Sequence, residues 1–349
     1  MRKKKFPGVL SWHLVREFCK RNALFFCMAF LGVFLFAGKI RMGTMEVQAA
    51  TQKTATQKKT TTKKKEVTPK EPASSDLRVV HTVTKLASKR WIQSFTMDDT
   101  YYYYIQMTKP SVGNSRITRI KYTGLGKYKK DHMDLRYFGH GTNLDCSVSG
   151  GITYLWTGSN AAANSDVSRA ISGFRYRKNG VLSHNGEICY KIPKGVDGKY
   201  VTNVYPAISP DSKKIAVRFT YKKRQYFQIY NLIDGKWMDV HQLLRQVVLP
   251  ATAGDFQGFD ISNSTIYTIE GSPRKSFLKG YDKSRVYQPT IIRSCNYRTG
   301  SVRAKLVRGA QKLSFREPEG IKVTKNGRLQ ILFVSNTLTN QSCNIYELK

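Results

Sequence analysis

The chain has 349 residues, with 59 Lys and Arg against 23 Asp and Glu, a formal net charge of +36. Hydrophobic residues make up 40% and aromatics 12%, enough to fill a large core, which excludes a fully disordered protein. A single stretch is apolar enough to enter a bilayer, which excludes a polytopic membrane protein, and 26 Gly and 11 Pro without a period exclude collagen.

The N-terminus sets the compartment. A basic region over residues 2–21 precedes an apolar run over residues 23–38. Sixteen helical residues span about 24 Å, short of the roughly 30 Å hydrocarbon core. Basic charge ahead of the run keeps the start of the chain cytoplasmic. Val47 and Ala49 satisfy the small-residue cleavage rule, so a signal peptide over residues 1–49, cut after Ala49, is expected. The alternative is an uncleaved single-pass anchor. Both place the rest of the chain outside the cytoplasm, where nucleic acid is not an expected partner. Residues 50–77 hold Thr, Gln, Pro and seven Lys between Lys53 and Lys70, with almost nothing to bury. They read as a disordered basic linker.

The charge is not confined to that leader. Residues 1–75 carry 16 basic and 4 acidic residues; residues 76–349 carry 43 and 19, a net of +24. A globular part this basic attracts polyanions, and outside the cytoplasm these are envelope polymers or a membrane surface. Candidate patches are Lys127, Lys129 and Lys130; Lys222, Lys223 and Arg224; and Arg274, Lys275 and Lys279. Cys19 and Cys27 fall in the leader. Cys146, Cys189, Cys295 and Cys343 stand at spacings that fit no zinc pattern, and free thiols on strands are expected.

Residues 78–349 read as short strands separated by turns, with residues 238–248 as the one expected helix. An apolar–x–apolar step, a polar turn and a β-rich strand recur five times. Aligned on the last apolar residue of the step, the copies end at Met97, Cys146, Ile208, Ile261 and Val323, 49 to 62 residues apart. Further strands lie between them, near residues 116–122, 170–177, 226–232 and 290–297. Five units of about four strands predict an all-β, five-bladed β-propeller, in which each step is the innermost strand of a blade. Ser94, Gly258 and Gly320 are small enough to let five such strands crowd at the axis.

Four segments occur in order: Gly139-His140-Gly141; Tyr205-Pro206-Ala207-Ile208-Ser209 running into Ile215-Ala216-Val217-Arg218; Gln257-Gly258-Phe259; and Arg316-Glu317-Pro318-Glu319-Gly320. Over roughly residues 80–349 this set resembles the propeller shared by helveticin J-like class III bacteriocins, teichoic acid biosynthesis protein C and staphylococcal-phage receptor-binding proteins. The resemblance implies a five-bladed propeller that attaches to wall teichoic acid or acts on the envelopes of other bacteria. The lysine-rich linker and the long N-terminus depart from that pattern.

The residues that carry chemistry cluster at inner-strand starts. His140 stands between two glycines, where its ring would face the channel and meet an anion or a metal, or bond to nearby backbone. Glu317 and Glu319 flank Pro318; in an extended segment they point to one side. They suit calcium chelation better than glycoside cleavage, which needs carboxylates across a sugar; in the bland alternative they bond backbone amides and Arg316. Gln93 and Gln257 occupy the position of Glu319 in other copies. Together Gln93, His140, Gln257, Glu317 and Glu319 are expected to ring one channel mouth. No Gly-x-Ser-x-Gly, His-Glu-x-x-His or phosphate loop is present. The leading expectation is a binding propeller for an anionic envelope glycopolymer. A wall-glycan or teichoic-acid hydrolase and a protein-binding scaffold or adhesin are the alternatives.

Overall fold

The computed structural model describes residues 75–349 apart from residues 85, 89, 122–129, 192–200, 250–253, 274–287, 314 and 335–341. Of Lys130 it describes the backbone alone. The expected leader, most of the linker, and Lys127, Lys129, Arg274, Lys275 and Lys279 lie outside the described residues. All described residues fall in one unit, Pro69–Lys349. Among them, no helix is long and apolar enough to cross a membrane.

Strand β1 (Leu77–Val83) opens the described chain. The first blade follows as β2 (Ile92–Met97), β3 (Tyr101–Lys109), β4 (Asn114–Lys121) and β5 (Lys130–Arg136), with a short 3-10 turn at Pro110–Val112. The second is β6 (Leu144–Ser149), β7 (Ile152–Ser159), β8 (Ala170–Arg175) and β10 (Ile188–Lys191). Between its last two strands, β9 (Val181–Ser183) crosses back to pair in parallel with β5. The third is β11 (Thr202–Ile208), β12 (Lys214–Tyr221), β13 (Arg224–Ile233) and β14 (Trp237–Leu249). The fourth is β15 (Phe256–Ile261), β16 (Thr265–Glu270), β17 (Ile291–Asn296) and β18 (Val302–Leu306). The fifth has only three strands of its own, β19 (Glu317–Val323), β20 (Leu329–Val334) and β21 (Cys343–Leu348). Its outer strand is β1, paired antiparallel to β21 from Leu77↔Leu348 to Val83↔Cys343. The start of the domain thus closes the ring, and β1 begins one residue ahead of the expected domain boundary.

The architecture is the expected all-β five-bladed propeller, and each of the five repeat copies lies on an innermost strand. The expected helix over residues 238–248 is overturned. These residues form β14, paired to β13 along its length with two register shifts. Met238 and Leu249 are buried, while Val240, Leu243, Leu244 and Val248 lie exposed on a blade edge. The four remaining cysteines are free thiols on β6, β10, β17 and β21.

Side chains alternate across each strand, so each blade buries both faces against its neighbours. Five apolar clusters result, one for each blade–blade contact. On β3, Tyr102 and Tyr104 pack toward the fifth blade, while Tyr103 and Ile105 pack toward the second. Each fully buried aromatic or branched side chain is worth about 1.5–3 kcal/mol. The Tyr/Phe-rich composition therefore supplies the material that binds blade to blade.

The axis is crowded. Three residues before the aligned step end, the blades present Ser94, Asn143, Tyr205, Gly258 and Gly320. Gly258 and Gly320 adopt φ of 142° and 125°. A Cβ at Gly258 would sit 3.3 Å from the Gly320 Cα, and one at Gly320 would sit 3.3 Å from the Phe95 ring, so side chains there would press on the neighbouring blade. Register shifts at this point in β2, β11, β15 and β19 re-aim the strand. That is how positions on both sides of the shift turn toward the channel.

One residue before the step end stand Thr96, Asp145, Ala207, Asp260 and Lys322. Here the channel is sealed by charge. The Lys322 ammonium lies 2.5 Å from Asp145 and 3.2 Å from Asp260, with all three side chains at most 7% exposed. Asp145 also accepts the Ile208 backbone N–H at 2.6 Å, and Asp260 accepts that of Val323 at 2.5 Å. The two carboxylates therefore pin blade two to three and four to five, and Lys322 ties them across the axis.

A candidate binding site at one channel mouth

The seal leaves a cavity at each end. The cavity at the strand ends is about 340 Å³ and is bordered by Asp98, Asp99, Cys146, Lys322 and Lys325. Burial pushes the Cys146 thiol up to about 12, which makes it a poor nucleophile there. The cavity at the strand starts is wider, about 480 Å³. Gln93, His140, Gln257, Glu317 and Glu319, singled out in the sequence, all border this second cavity. Trp91, Asp255, Phe256 and Phe315, which sequence reasoning passed over, also border it. Trp91 and Asp255 stand six residues before the aligned step end, as His140 and Glu317 do, so the same alignment could have found them.

Each polar group has a distinct environment. The Gln93 amide donates to the Ile92 carbonyl at 3.2 Å. The Gln257 amide donates to the Gly271 carbonyl at 3.1 Å and reaches Glu317 at 3.4 Å. His140 Nδ1 is 2.7 Å from the Asp166 carboxylate, a partner from the β7–β8 loop with no mark in the sequence. That hydrogen bond holds the Asp166 carboxyl below its usual range. Glu319 is only 5% exposed, and burial, reinforced by the Glu317 charge, raises its carboxyl well above the ordinary value. Arg316 donates instead to the backbone carbonyls of Gly309 and Val307 and to the Thr290 hydroxyl, which fixes the entry to β19.

The aromatic residues form a wall beside these groups. Trp91 and Phe315 stack at a tilt with centroids 5.0 Å apart. Arg218 stacks on Phe256 at 4.2 Å without bordering the cavity. Among the described residues, no group of three or more His, Cys, Asp or Glu is arranged to hold a metal ion. The arrangement thus offers carboxylates, amides, an imidazole and flat apolar rings, which suits polar recognition of a group entering end-on.

One of the basic patches, Lys222, Lys223 and Arg224, lies among the described residues. β12 runs antiparallel to β11, with Thr202 opposite Thr220, so the β12–β13 tip stands on the wide-mouth face. Lys222 and Lys223 are the two residues of that tip and are exposed, as is Arg224. Their φ values are 46° and 61°, the left-handed pair of a type I′ turn, where Asn-Gly is the favoured sequence.

These features have relatives. A Bacillus subtilis (strain 168) protein, named as a major teichoic acid biosynthesis protein C, is 26% identical over 261 residues, covering 70% of this chain and 55% of that protein. The chain thus spans about half the length of that relative. The tail fiber of Staphylococcus aureus phage P68 superposes with a TM-score of 0.56 at 18% identity, over 78% of this chain and 52% of the fiber chain, a likeness of fold. The family model described as the phage 5-bladed beta propeller receptor binding platform domain matches residues 85–343. By that match, on five blades closed by β1, the chain belongs to the phage five-bladed β-propeller receptor-binding platform family.

Proposed function

We propose that this chain is an exported, surface-exposed or secreted binding propeller. On this reading it recognises an anionic cell-envelope glycopolymer of the teichoic-acid kind through its wide-mouth face. Family membership and the relative named for teichoic acid biosynthesis support that ligand class. The leader expected from residues 1–49 supports export. A bacteriocin-like action on other cells is the biological form that the helveticin J-like resemblance implies.

The observation that carries the reading is the Lys222–Lys223 tip. A left-handed residue with a Cβ costs about 1–2 kcal/mol, and the turn holds two. Such strain persists where another requirement outweighs it. Two exposed lysines on the face of the candidate site meet that requirement if the ligand carries phosphates. Single exposed charge contacts contribute only about 0–1 kcal/mol, so binding needs several at once, from the tip and from the surrounding basic surface.

The test is retention of the full-length protein on cell walls before and after chemical removal of teichoic acid. Retention should fall when the polymer is removed. Equal retention on both walls would refute the reading.

A further inference from the structure

The charge at the wide mouth runs against the charge of the molecule. In a chain of net charge +36, the described residues of this cavity's wall include Asp255, Glu317 and Glu319 and no Lys or Arg. A phosphate entering there would meet carboxylates with no Lys or Arg among the described wall residues to offset them. The basic tip and the acidic cavity therefore serve different chemical groups, although they share one face.

Glu319 adds a separate observation. Its side chain borders the cavity, is 5% exposed, and makes no hydrogen bond to any described residue. A buried carboxyl without a partner costs free energy unless an incoming group supplies one. A divalent cation would need a fuller oxygen cage than this wall provides, and no metal-holding cluster exists among the described residues. The rings of Trp91 and Phe315 beside the carboxylates supply the other half of an ammonium site: flat faces that attract a cation.

We infer that the wide-mouth cavity binds a protonated primary amine carried on the ligand, with Glu317 and Glu319 accepting its N–H bonds against the Trp91–Phe315 wall. This rests on the reading that the same face meets an envelope polymer. It specifies that polymer as one bearing both phosphate and amino groups: phosphates for the lysine tip, an amine for the cavity. Gln93 and Gln257, at equivalent inner-strand positions, would orient neighbouring hydroxyls.

The test titrates the full-length protein with glucosamine and N-acetylglucosamine in neutral buffer, because acid would protonate the raised Glu319 carboxyl, and with calcium and glycerol phosphate. Glucosamine should bind about tenfold or more tightly than its N-acetyl form, the ratio that one charge-assisted hydrogen bond supplies. The isosteric double variant Glu317→Gln/Glu319→Gln should abolish that preference. If it fails to fold, Trp91→Ala should weaken glucosamine binding on its own. Equal affinity for the two sugars, a preference that survives the variants, calcium uptake without glucosamine binding, or glycerol phosphate displacing glucosamine would each overturn the inference. Retention on walls without glucosamine binding would sink this inference alone. Glucosamine binding with no dependence on wall polymer would sink the envelope reading alone.

Discussion

Replacing Lys322 by Met removes the cation from the middle of the channel seal and leaves Asp145 and Asp260 facing each other. Both carboxylates are 1–2% exposed, and both remain tied to backbone amides of the neighbouring blades, so neither can swing out to water. Removing one partner of a buried ion pair costs roughly 3–5 kcal/mol, because the remaining charge is uncompensated. At about 2–4 °C per kcal/mol for a domain of this class, the melting temperature should fall by around 10 °C. Urea denaturation followed by tryptophan fluorescence, with calorimetry beside it, reads both quantities. The triple variant Lys322→Met/Asp145→Asn/Asp260→Asn should recover at least half the loss. No buried charge then remains in the seal, and each Asn oxygen still accepts a backbone N–H. A Lys322→Met protein within about 1 kcal/mol of the parent, or a triple variant less stable than the single one, would refute the account of the seal.

Two other outcomes follow from charge, one in the interior and one on the surface. Burial alone would lower the Lys322 ammonium, but Asp145 and then Asp260 outweigh it and hold it above its ordinary 10.5. Its contribution is therefore complete below that value and is lost as pH climbs above it. Tyr103 and Tyr176 are raised above 10.0, first by burial and then by Asp98 and Asp131 respectively, so the unfolded chain ionises them before the folded one does. Stability should hold to about pH 10 and then drop, with a smaller drop in Lys322→Met; a pH series of melting curves that stays flat to higher pH contradicts this. Wall retention should also fall steeply between about 0.1 M and 1 M salt, as screening shortens from ~10 Å to ~3 Å; sedimentation of protein with walls measures it, and salt-independent retention would point to neutral recognition.

The inner strands were the most legible part of the chain, for a physical reason. Crowding at the axis demands small residues such as Ser94, Gly258 and Gly320, and blade packing demands apolar ones beside them. The apolar step repeats five times and so leaves a period, while the small axial residue appears in three of the five copies. The grouping of Glu317, Glu319, Gln93, Gln257 and His140 at one mouth followed from position within the period. The seal was not read from the sequence, although Asp145, Asp260 and Lys322 are charges set among inner-strand apolar residues at one aligned position. β14 was misread because Leu243, Leu244, Val247 and Val248 mimic helical spacing. An outer strand has one face left open, so its pattern is not disciplined by packing. The crossing of β9 to β5 and the closure by β1 depend on pairing across long sequence separations, which leaves no local mark. The partner of His140 is an Asp on a loop, and nothing but three-dimensional proximity identifies it.

The most direct measurement pairs stability with binding in one variant, Lys222→Asn/Lys223→Gly, made in the full chain. The substitution places the favoured type I′ sequence on left-handed backbone already held at φ 46° and 61°. If the strain at this tip is kept for ligand charge, the variant should gain about 1 kcal/mol or more in urea denaturation while its retention on teichoic-acid-bearing walls weakens. A variant that is more stable and binds walls as well as the parent would contradict the claim that this face is the receptor surface.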